Sequence, residues 1–304
     1  MKKIRLDFCD FWPGFSKQNN FFMDVLRQRY DVEIYDKPDF VIYANYGHHH
    51  RLYTCPRIFF TGEANKPDFR ECDYALTHHY SEDTRHLRLP FYVLYVKPEE
   101  LIKQADEAER VAPQKTKFCG LLSRNPRARE RIDFMRALSR YQKVDSGGTF
   151  ENNMGAPIGP TTADKLEFLR PYKFNIAFEN QALPGYTTEK ICEAMRARCI
   201  PIYWGSSRVQ TEFNPRSFLN FSDFPSTEAL IERIKEIDAK RELYLEYLRE
   251  PYFLGNQPNE FFSRERLLDF FERIFCSKIQ PVGTRRAVFQ LGRWVCVKKD
   301  KPMA

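Results

Sequence analysis

Apolar and polar positions divide the chain into two stretches of similar pattern. Over residues 4–8 they alternate with a period of two, as in a strand with one buried face. Residues 20–30 change to helical spacing through Phe21, Phe22, Val25 and Leu26, and compact β-rich runs follow at 32–35, 40–44, 57–61 and 74–77. Residues 97–116 turn acidic and basic between Pro98 and Pro113, the composition of a linker or long connection. The pattern then begins again. A strand is expected at 117–122, a helix after Asn125-Pro126 with Ile132, Phe134, Met135 and Leu138 on one side, and a Gly- and Asn-rich loop from Ser146 to Gly159. A helix at 162–169, a buried strand at 173–178, a turn at 181–186, a helix at 188–198 and a strand at 200–204 complete the alternation. From Ser226 the spacing is helical, with Leu230, Ile231, Ile234 and Ile237 on one face and later runs at 243–248 and 267–274. Strands alternating with helices predict two α/β halves, in which ligands collect beyond the carboxyl ends of the strands.

The chain has 304 residues, enough for two domains of ordinary size, and its 42% hydrophobic content is that of a globular protein. It has no apolar run near the roughly 20 residues that cross a bilayer, and Met-Lys-Lys-Ile-Arg-Leu enters the first alternation directly, so a soluble cytoplasmic chain is expected. The eight cysteines form no Cys-x-x-Cys pair and lie mostly in apolar patterns, which favours buried free thiols. A formal charge of +7 suits an anionic partner without choosing among nucleotides, phosphates and membranes.

The segment FENQALPGYTTEKICEAMRARCIPIYWG, from Phe178 to Gly205, concentrates the chemistry. A buried strand ends in Glu179-Asn180, whose polar side chains are expected to face a cleft. Pro184-Gly185 supplies a turn, Thr187 a candidate N-cap, and Thr188, Glu189 and Lys190 the first turn of a helix. Free N–H groups at a helix start, with a lysine on the same side, suit a diphosphate. A Glu-Lys pair is also ordinary helix surface, and Tyr186 reads equally as a core side chain or as a stacking partner for a sugar or base.

Three blocks in this segment, Phe178-Glu179-Asn180, Gly185-Tyr186-x-Thr188-Glu189-Lys190 and Pro201-Ile202-Tyr203-Trp204-Gly205, resemble in order and spacing the signature of the α-1,3/4-fucosyltransferases. The similarity continues through Phe213-Asn214-Pro215-Arg216-Ser217-Phe218 and more thinly over most of the chain. The resemblance implies a GT-B glycosyltransferase, with two Rossmann-like domains facing a cleft. Residues 1–112 would bind the acceptor, 113–265 would bind GDP-fucose, and 266–304 would form a C-terminal helical and basic segment. The implied reaction is inverting transfer of fucose from GDP-fucose to GlcNAc of an N-acetyllactosamine-type glycan, giving Lewis-type products.

By position, the resemblance pairs Lys190 with the diphosphate, sets Glu189 and Tyr186 against the ribose or fucose, and places Asn180 in the donor pocket. Arg131, after the Arg124-Asn125-Pro126 turn, falls in register with the family's phosphate-binding arginine, with Arg127 and Arg129 as neighbouring alternatives. By spacing alone Glu63 is a loop glutamate that caps or solvates the turn after a strand, but the run Thr61-Gly62-Glu63-Ala64-Asn65 also resembles the family, and the resemblance implies Glu63 as the general base that takes the acceptor hydroxyl proton. Asp73, which opens a strand, is the weaker candidate.

Gly147-Gly148 suits either a close approach of backbone to nucleotide or a flexible connection, and His78-His79 read first as a polar strand end, with bordering the acceptor as the alternative. The run His48-His49-His50 lacks the spacing of a metal site and reads as an exposed loop. No Asp-x-Asp stands where a metal-dependent transferase needs one, so no metal is required, while stimulation by a divalent ion stays compatible. The basic and apolar stretch from Thr284 to Lys299 suits either a peripheral contact with an anionic membrane surface or packing on the first domain. Two readings compete with GDP-fucose transfer: a GT-B enzyme with another nucleotide sugar, and a non-enzymatic basic protein binding glycan or nucleic acid. The second would cluster its basic residues with aromatics on one face, whereas here both signs of charge are dispersed, which disfavours a nucleic-acid partner.

Overall fold

The computed structural model describes residues 1–290 and 293–298, with side chains as far as Thr284. The chain forms two compact units, residues 1–89 with the segment from Ser263, and residues 90–262.

The first unit is built on β1 (Lys2–Cys9), β2 (Tyr30–Ile34), β3 (Phe40–Tyr43), β4 (Arg57–Phe60), β5 (Tyr74–Thr77) and β6 (His86–Arg88). Their order is β2-β1-β3-β4-β5-β6 and every pairing is parallel, with Leu6 opposite both Ile34 and Phe40. β3, β4 and β5 are buried at every position, as befits strands covered on both faces, whereas Lys3 and Arg5 leave β1 partly exposed. Helix α1 (Phe21–Leu26) is shorter than its spacing suggested: Asn20 caps it by accepting from the N–H groups of Phe22 and Met23, and Tyr30 already belongs to β2. A helix at Arg264–Cys276 sets Phe271 against Phe22 at 6.4 Å, Phe275 against Phe40 at 4.7 Å and Phe270 against Tyr74 at 6.2 Å. Asp73 is buried and accepts from the N–H groups of Arg57 and Val282, each at 2.9 Å, so it ties two segments together.

The second unit contains α2 (Glu107–Val111), β7 (Lys117–Leu121), α3 (Arg129–Leu138), β8 (Val144–Ser146), α4 (Thr162–Leu169), β9 (Tyr172–Phe178), α5 (Glu189–Arg196), β10 (Ile200–Trp204), β11 (Leu219–Asn220), α6 (Thr227–Ala239) and α7 (Arg241–Arg249). The sheet order is β11-β10-β9-β7-β8, again all parallel. Its core joins Phe174, Ile176 and Phe178 of β9 to Ile132, Phe134 and Leu138 of α3 and to the apolar face of α6. Residues 90–112, assigned on sequence to the first half, group with this second unit. Their charges answer charges in it: Glu100 pairs with Arg196 at 2.5 Å, Glu107 with Arg198 at 2.8 Å, and Lys103 Nζ donates to the Leu248 carbonyl at 2.6 Å. The polar composition that read as a linker is one side of these pairs.

Strands β12 (Arg285–Gln290) and β13 (Arg293–Lys298) form an antiparallel pair. The side chains on which membrane contact by the tail depends lie outside the described residues. Among the described residues no helix is long and apolar enough to cross a membrane.

Each sheet has a switch point, a place where successive connections leave in opposite directions and open a crevice at the strand ends. In the first unit it lies between β1 and β3, and in the second between β7 and β9.

Candidate active site

At the second switch point, Leu122, Arg124 and Asn125 follow β7, Gly147 and Gly148 follow β8, and Asn180 follows β9. With Arg131, Ile158, Lys165, Glu189, Lys190 and Glu193 they line an open cleft of about 690 Å³. Two main-chain segments meet there closely, since a Cβ on Gly148 would stand 1.9 Å from the Ser123 carbonyl oxygen. Arg131 is buried; its Nε donates to the Phe178 carbonyl at 3.0 Å, and Nη2 donates to the same carbonyl and to Asn180 Oδ1, the latter at 3.1 Å. The end of β9, Arg131 and Asn180 are thereby one construction.

Beneath this wall lies Glu179, whose side chain is 0% exposed. The sequence suggested that it faces the cleft; it turns inward instead. Its carboxylate accepts from Thr188 N and Thr188 Oγ1, each at 2.7 Å, and from Lys190 Nζ at 3.1 Å. The glycine closing the sequence segment explains the turn, because a Cβ on Gly205 would lie 2.6 Å from Glu179 Cγ. Thr188, rather than Thr187, is the N-cap of α5, and one of the helix's free N–H groups is already taken by the protein's own carboxylate. Thr187 bonds the buried Glu212 at 3.0 Å.

Burial alone would lower the Lys190 pKa, yet the carboxylates of Glu179 and Glu189 outweigh it and hold the ammonium above its ordinary value. For Glu189 burial acts upward, but Lys190 and Lys165 leave it below the usual glutamate range. Glu193 is raised by burial and by Glu189, despite Lys165 at 2.6 Å. Burial lowers Arg131, opposed by Glu179 and Glu189. The cleft thus presents four basic side chains, Arg124, Arg131, Lys165 and Lys190, against Glu189 and Glu193, a balance suited to a polyanion. Of the residues singled out in the sequence, Arg131, Gly147, Gly148, Asn180, Glu189 and Lys190 share this cleft. Tyr186 does not line it and is buried behind the turn, where Gly185 adopts φ +83° and donates to Ser206 Oγ at 2.8 Å. Lys165 and Glu193 escaped the sequence reading; the Glu189–Glu193 spacing of four on one helix was the available signal.

In the first unit Glu63 is exposed on the loop after β4. Its N–H donates to Thr61 Oγ1 at 2.9 Å, and the Tyr46 hydroxyl donates to its Oε1 at 3.3 Å. The histidine run is not a uniformly exposed loop. His50 is buried, stacked on Tyr43 at 4.0 Å, while the His49 side chain is 79% exposed. Asp10 holds both: its carboxylate accepts from the N–H groups of His49 and His50, each at 2.9 Å, and pairs with their Nδ1 atoms at 3.0 and 2.7 Å. Burial alone would raise Asp10, but these bonds hold it at about 2. His78 is buried, with burial as the main cause of a pKa near 3, and His79 is half-buried and lowered for the same reason. Among the described residues no three metal-ligating side chains converge, and seven cysteines are free thiols.

Two α/β units, each built on an all-parallel central sheet and the second with a cationic cleft at its switch point, are the parts of a GT-B glycosyltransferase fold, and solved structures show that fold. A crystal structure of an α1,3-fucosyltransferase with GDP-fucose matches with a TM-score of 0.77 at 29% identity, covering 92% of this chain and 93% of that one. The chain matches the FucT N-terminal domain of α-(1,3)-fucosyltransferases over residues 6–95 and the C-terminal part of glycosyltransferase family 10 (fucosyltransferases) over residues 111–290. The chain belongs to this fucosyltransferase family. It is 31% identical to the α-(1,3)-fucosyltransferase FucT of Helicobacter pylori over 84% of its own length and 62% of that protein's. It is 32% identical to the 3-galactosyl-N-acetylglucosaminide 4-α-L-fucosyltransferase FUT3 of Pongo pygmaeus over 54% of its length and 41% of the relative's.

Proposed function

We propose that the chain is an inverting α-1,3-fucosyltransferase, moving fucose from GDP-fucose to GlcNAc of an N-acetyllactosamine-type glycan to give a Lewis-type product. The observation that carries this reading is the second-unit cleft, where Arg131, Lys165 and Lys190 stand at the ends of the central strands on a frame fixed by Glu179. As the fucose–phosphate bond breaks, negative charge grows on the departing diphosphate, and fixed cations lower the barrier because they need not reorganise. Lys190 and Arg131 fill that role, with Asn180 against the donor. Tyr186, behind the turn, supports the pocket wall. Glu63 accepts the acceptor hydroxyl proton as the new glycosidic bond forms. Gly147 and Gly148 let main chain approach the nucleotide. His78 and His79 belong to the acceptor-binding unit as neutral imidazoles. The scheme has no step that needs a metal, so turnover should survive a chelator.

The related crystal structure with GDP-fucose and the relative acting on galactosyl-N-acetylglucosaminide support the donor and the acceptor class. The test is incubation of the chain with N-acetyllactosamine and a panel of nucleotide sugars, with products resolved by mass and linkage by NMR. Transfer from GDP-fucose to the 3-hydroxyl of GlcNAc is expected. Preference for a UDP-hexose would overturn the donor assignment, and a product with retained configuration the mechanism.

A further inference from the structure

The second-unit cleft contains one ion pair to which the transfer scheme gives no role. Lys165 of α4 holds Glu193 of α5 at 2.6 Å, with 20% of the lysine side chain and 9% of the glutamate side chain exposed. Glu193 stands one turn after Glu189 on the same helix, and both line the cleft. Like charges at that spacing repel each other. The other charged groups that face them are Lys190 of the same helix, 3.8 Å from Glu189 and 3.1 Å from Glu179, Arg131 of α3, and Arg124 on the loop after β7. With Glu179 sealed beneath, three carboxylates answer the four cations of the site. A nucleotide sugar brings a doubly ionised diphosphate into this nearly balanced set. The smallest adjustment available is a proton on the carboxylate that is already hardest to ionise. Burial and Glu189 push Glu193 above the usual glutamate range, whereas Glu189, although burial acts upward on it too, is left below that range by Lys190 and Lys165.

We propose that Glu193 takes up a proton when the nucleotide diphosphate enters the cleft, and that Lys165 is the positioning residue that sets how readily it does so. The proposal rests on the reading of this cleft as the donor site. One bond forms, an O–H on a Glu193 carboxylate oxygen, and the proton comes from water in the open cleft. The charge of the site rises by one, and the Lys165 ammonium, released from its carboxylate, is free to face the diphosphate. Linkage makes the coupling reciprocal: an anion that raises the proton affinity of Glu193 is itself bound more tightly by the protonated form.

The test is calorimetric titration of the full chain with GDP-fucose, whose diphosphate is esterified at both ends and does not titrate near neutrality. Buffers of different ionisation enthalpy, from about pH 8 to about pH 5.5, report the protons exchanged. In the parent, proton uptake should grow as the pH falls from 8, and donor affinity should rise with it by about fivefold. Glu193→Gln has no proton to gain, so uptake should vanish and the affinity should lose its pH dependence. Lys165→Met removes the charge that favours the ionised carboxylate, so uptake should move to higher pH. Its affinity should fall about tenfold near pH 8 and approach that of the parent toward pH 5.5. Adding Glu193→Gln to Lys165→Met should recover most of that loss, because no carboxylate is left there to oppose the donor. A lysine that touches the diphosphate directly would instead weaken binding by the same factor at every pH and gain nothing from the second substitution, and that pattern would overturn the positioning role. Donor binding without proton uptake in the parent, or uptake that survives Glu193→Gln, would overturn the proposal and leave the donor reading in place. Failure of the parent to bind GDP-fucose would overturn both. If the variants fail to fold, NMR of the parent labelled at its glutamate carboxyl carbons decides. One glutamate should titrate at higher pH in the GDP-fucose complex than in the free protein, and an unchanged set of titrations would overturn the proposal.

Discussion

The two switch points use charge in opposite ways. In the second unit Glu179 is sealed beneath the strand ends and fixes Lys190 and Thr188, so cations face the cleft on a neutralised foundation. In the first unit the sealed carboxylate, Asp10, fixes a loop, and a second carboxylate, Glu63, stands exposed beside one phenol. A leaving diphosphate gains from positive charges that are already in place, whereas a base must keep an oxygen open to receive a proton. On the proposed function, the difference matches the two halves of a transfer reaction.

The comparison breaks most sharply at Glu63. Glu63→Gln keeps the shape and the Tyr46 contact but cannot accept a proton, so kcat should fall about 10³-fold, within the range set by general-base catalysis. GDP affinity, read by calorimetric titration, should stay within twofold, because GDP contacts are assigned to the other unit. A parallel loss of GDP affinity would contradict this division of labour.

Lys190 comes next. Lys190→Ala removes the cation and leaves Glu179 unpaired in the interior, so GDP affinity should fall about 100-fold and the second unit should lose about 3 kcal/mol of stability in urea unfolding. The pair Glu179→Gln with Lys190→Met separates the two effects. It should restore much of the stability, since no buried charge is stranded, and leave GDP binding weak. Recovery of GDP binding in the double variant would show that Lys190 serves the frame alone.

Gly148→Ala is a smaller perturbation. Its Cβ meets main chain, so the loop after β8 must shift. GDP affinity should drop about tenfold with little change in acceptor KM. Gly14→Ala in the first unit is the matching control: its Cβ meets no atom within 4 Å, and the only penalty comes from φ +84°. That variant should leave GDP binding unaltered.

How far these features could be read in the sequence depended on how local they are. Most of the second-unit frame sits in one segment, with the strand end, turn, helix start and following strand in a row, so Asn180, Glu189 and Lys190 stood out together. Glu179 was legible as a residue but not as a direction: its inward turn depends on Gly205 lying across the sheet, a tertiary fact. Lys165 and Glu193 come from two helices whose facing sides periodicity does not pair. The first-unit site joins residues after three strands that are far apart in the sequence, and only Glu63 lay in a recognisable run. The long alternating or apolar runs revealed their strands, but β6, β8 and β11, two or three residues each, are too short to show a period. The grouping of residues 90–112 with the second unit has the same origin, since Glu100 and Glu107 look solvated until Arg196 and Arg198 are set beside them.

The last contrast between the units is in their response to acid. In the first unit His78 and His86 are buried, and burial, assisted by neighbouring imidazole and guanidinium groups, holds them at about 3 and about 4. Thr77 Oγ1 lies 2.8 Å from His86 Nε2 and 3.1 Å from His79 Nδ1, binding the cluster to β5. A folded pKa below the unfolded value of about 6.5 means that the unfolded chain takes up the extra proton, so stability is complete above about pH 6.5 and declines as the pH falls toward 4. Each imidazole contributes up to about 1.4 kcal/mol per pH unit in that window. The Lys190 ammonium is raised, so its contribution persists through the same window and fades only in strong base. Melting followed from pH 7 to 4.5 should therefore show hydrogen exchange accelerating first in β5 and β6, while β9 and α5 stay protected. His86→Gln, which cannot titrate, should flatten the pH dependence, and an unchanged slope would remove this histidine as its source.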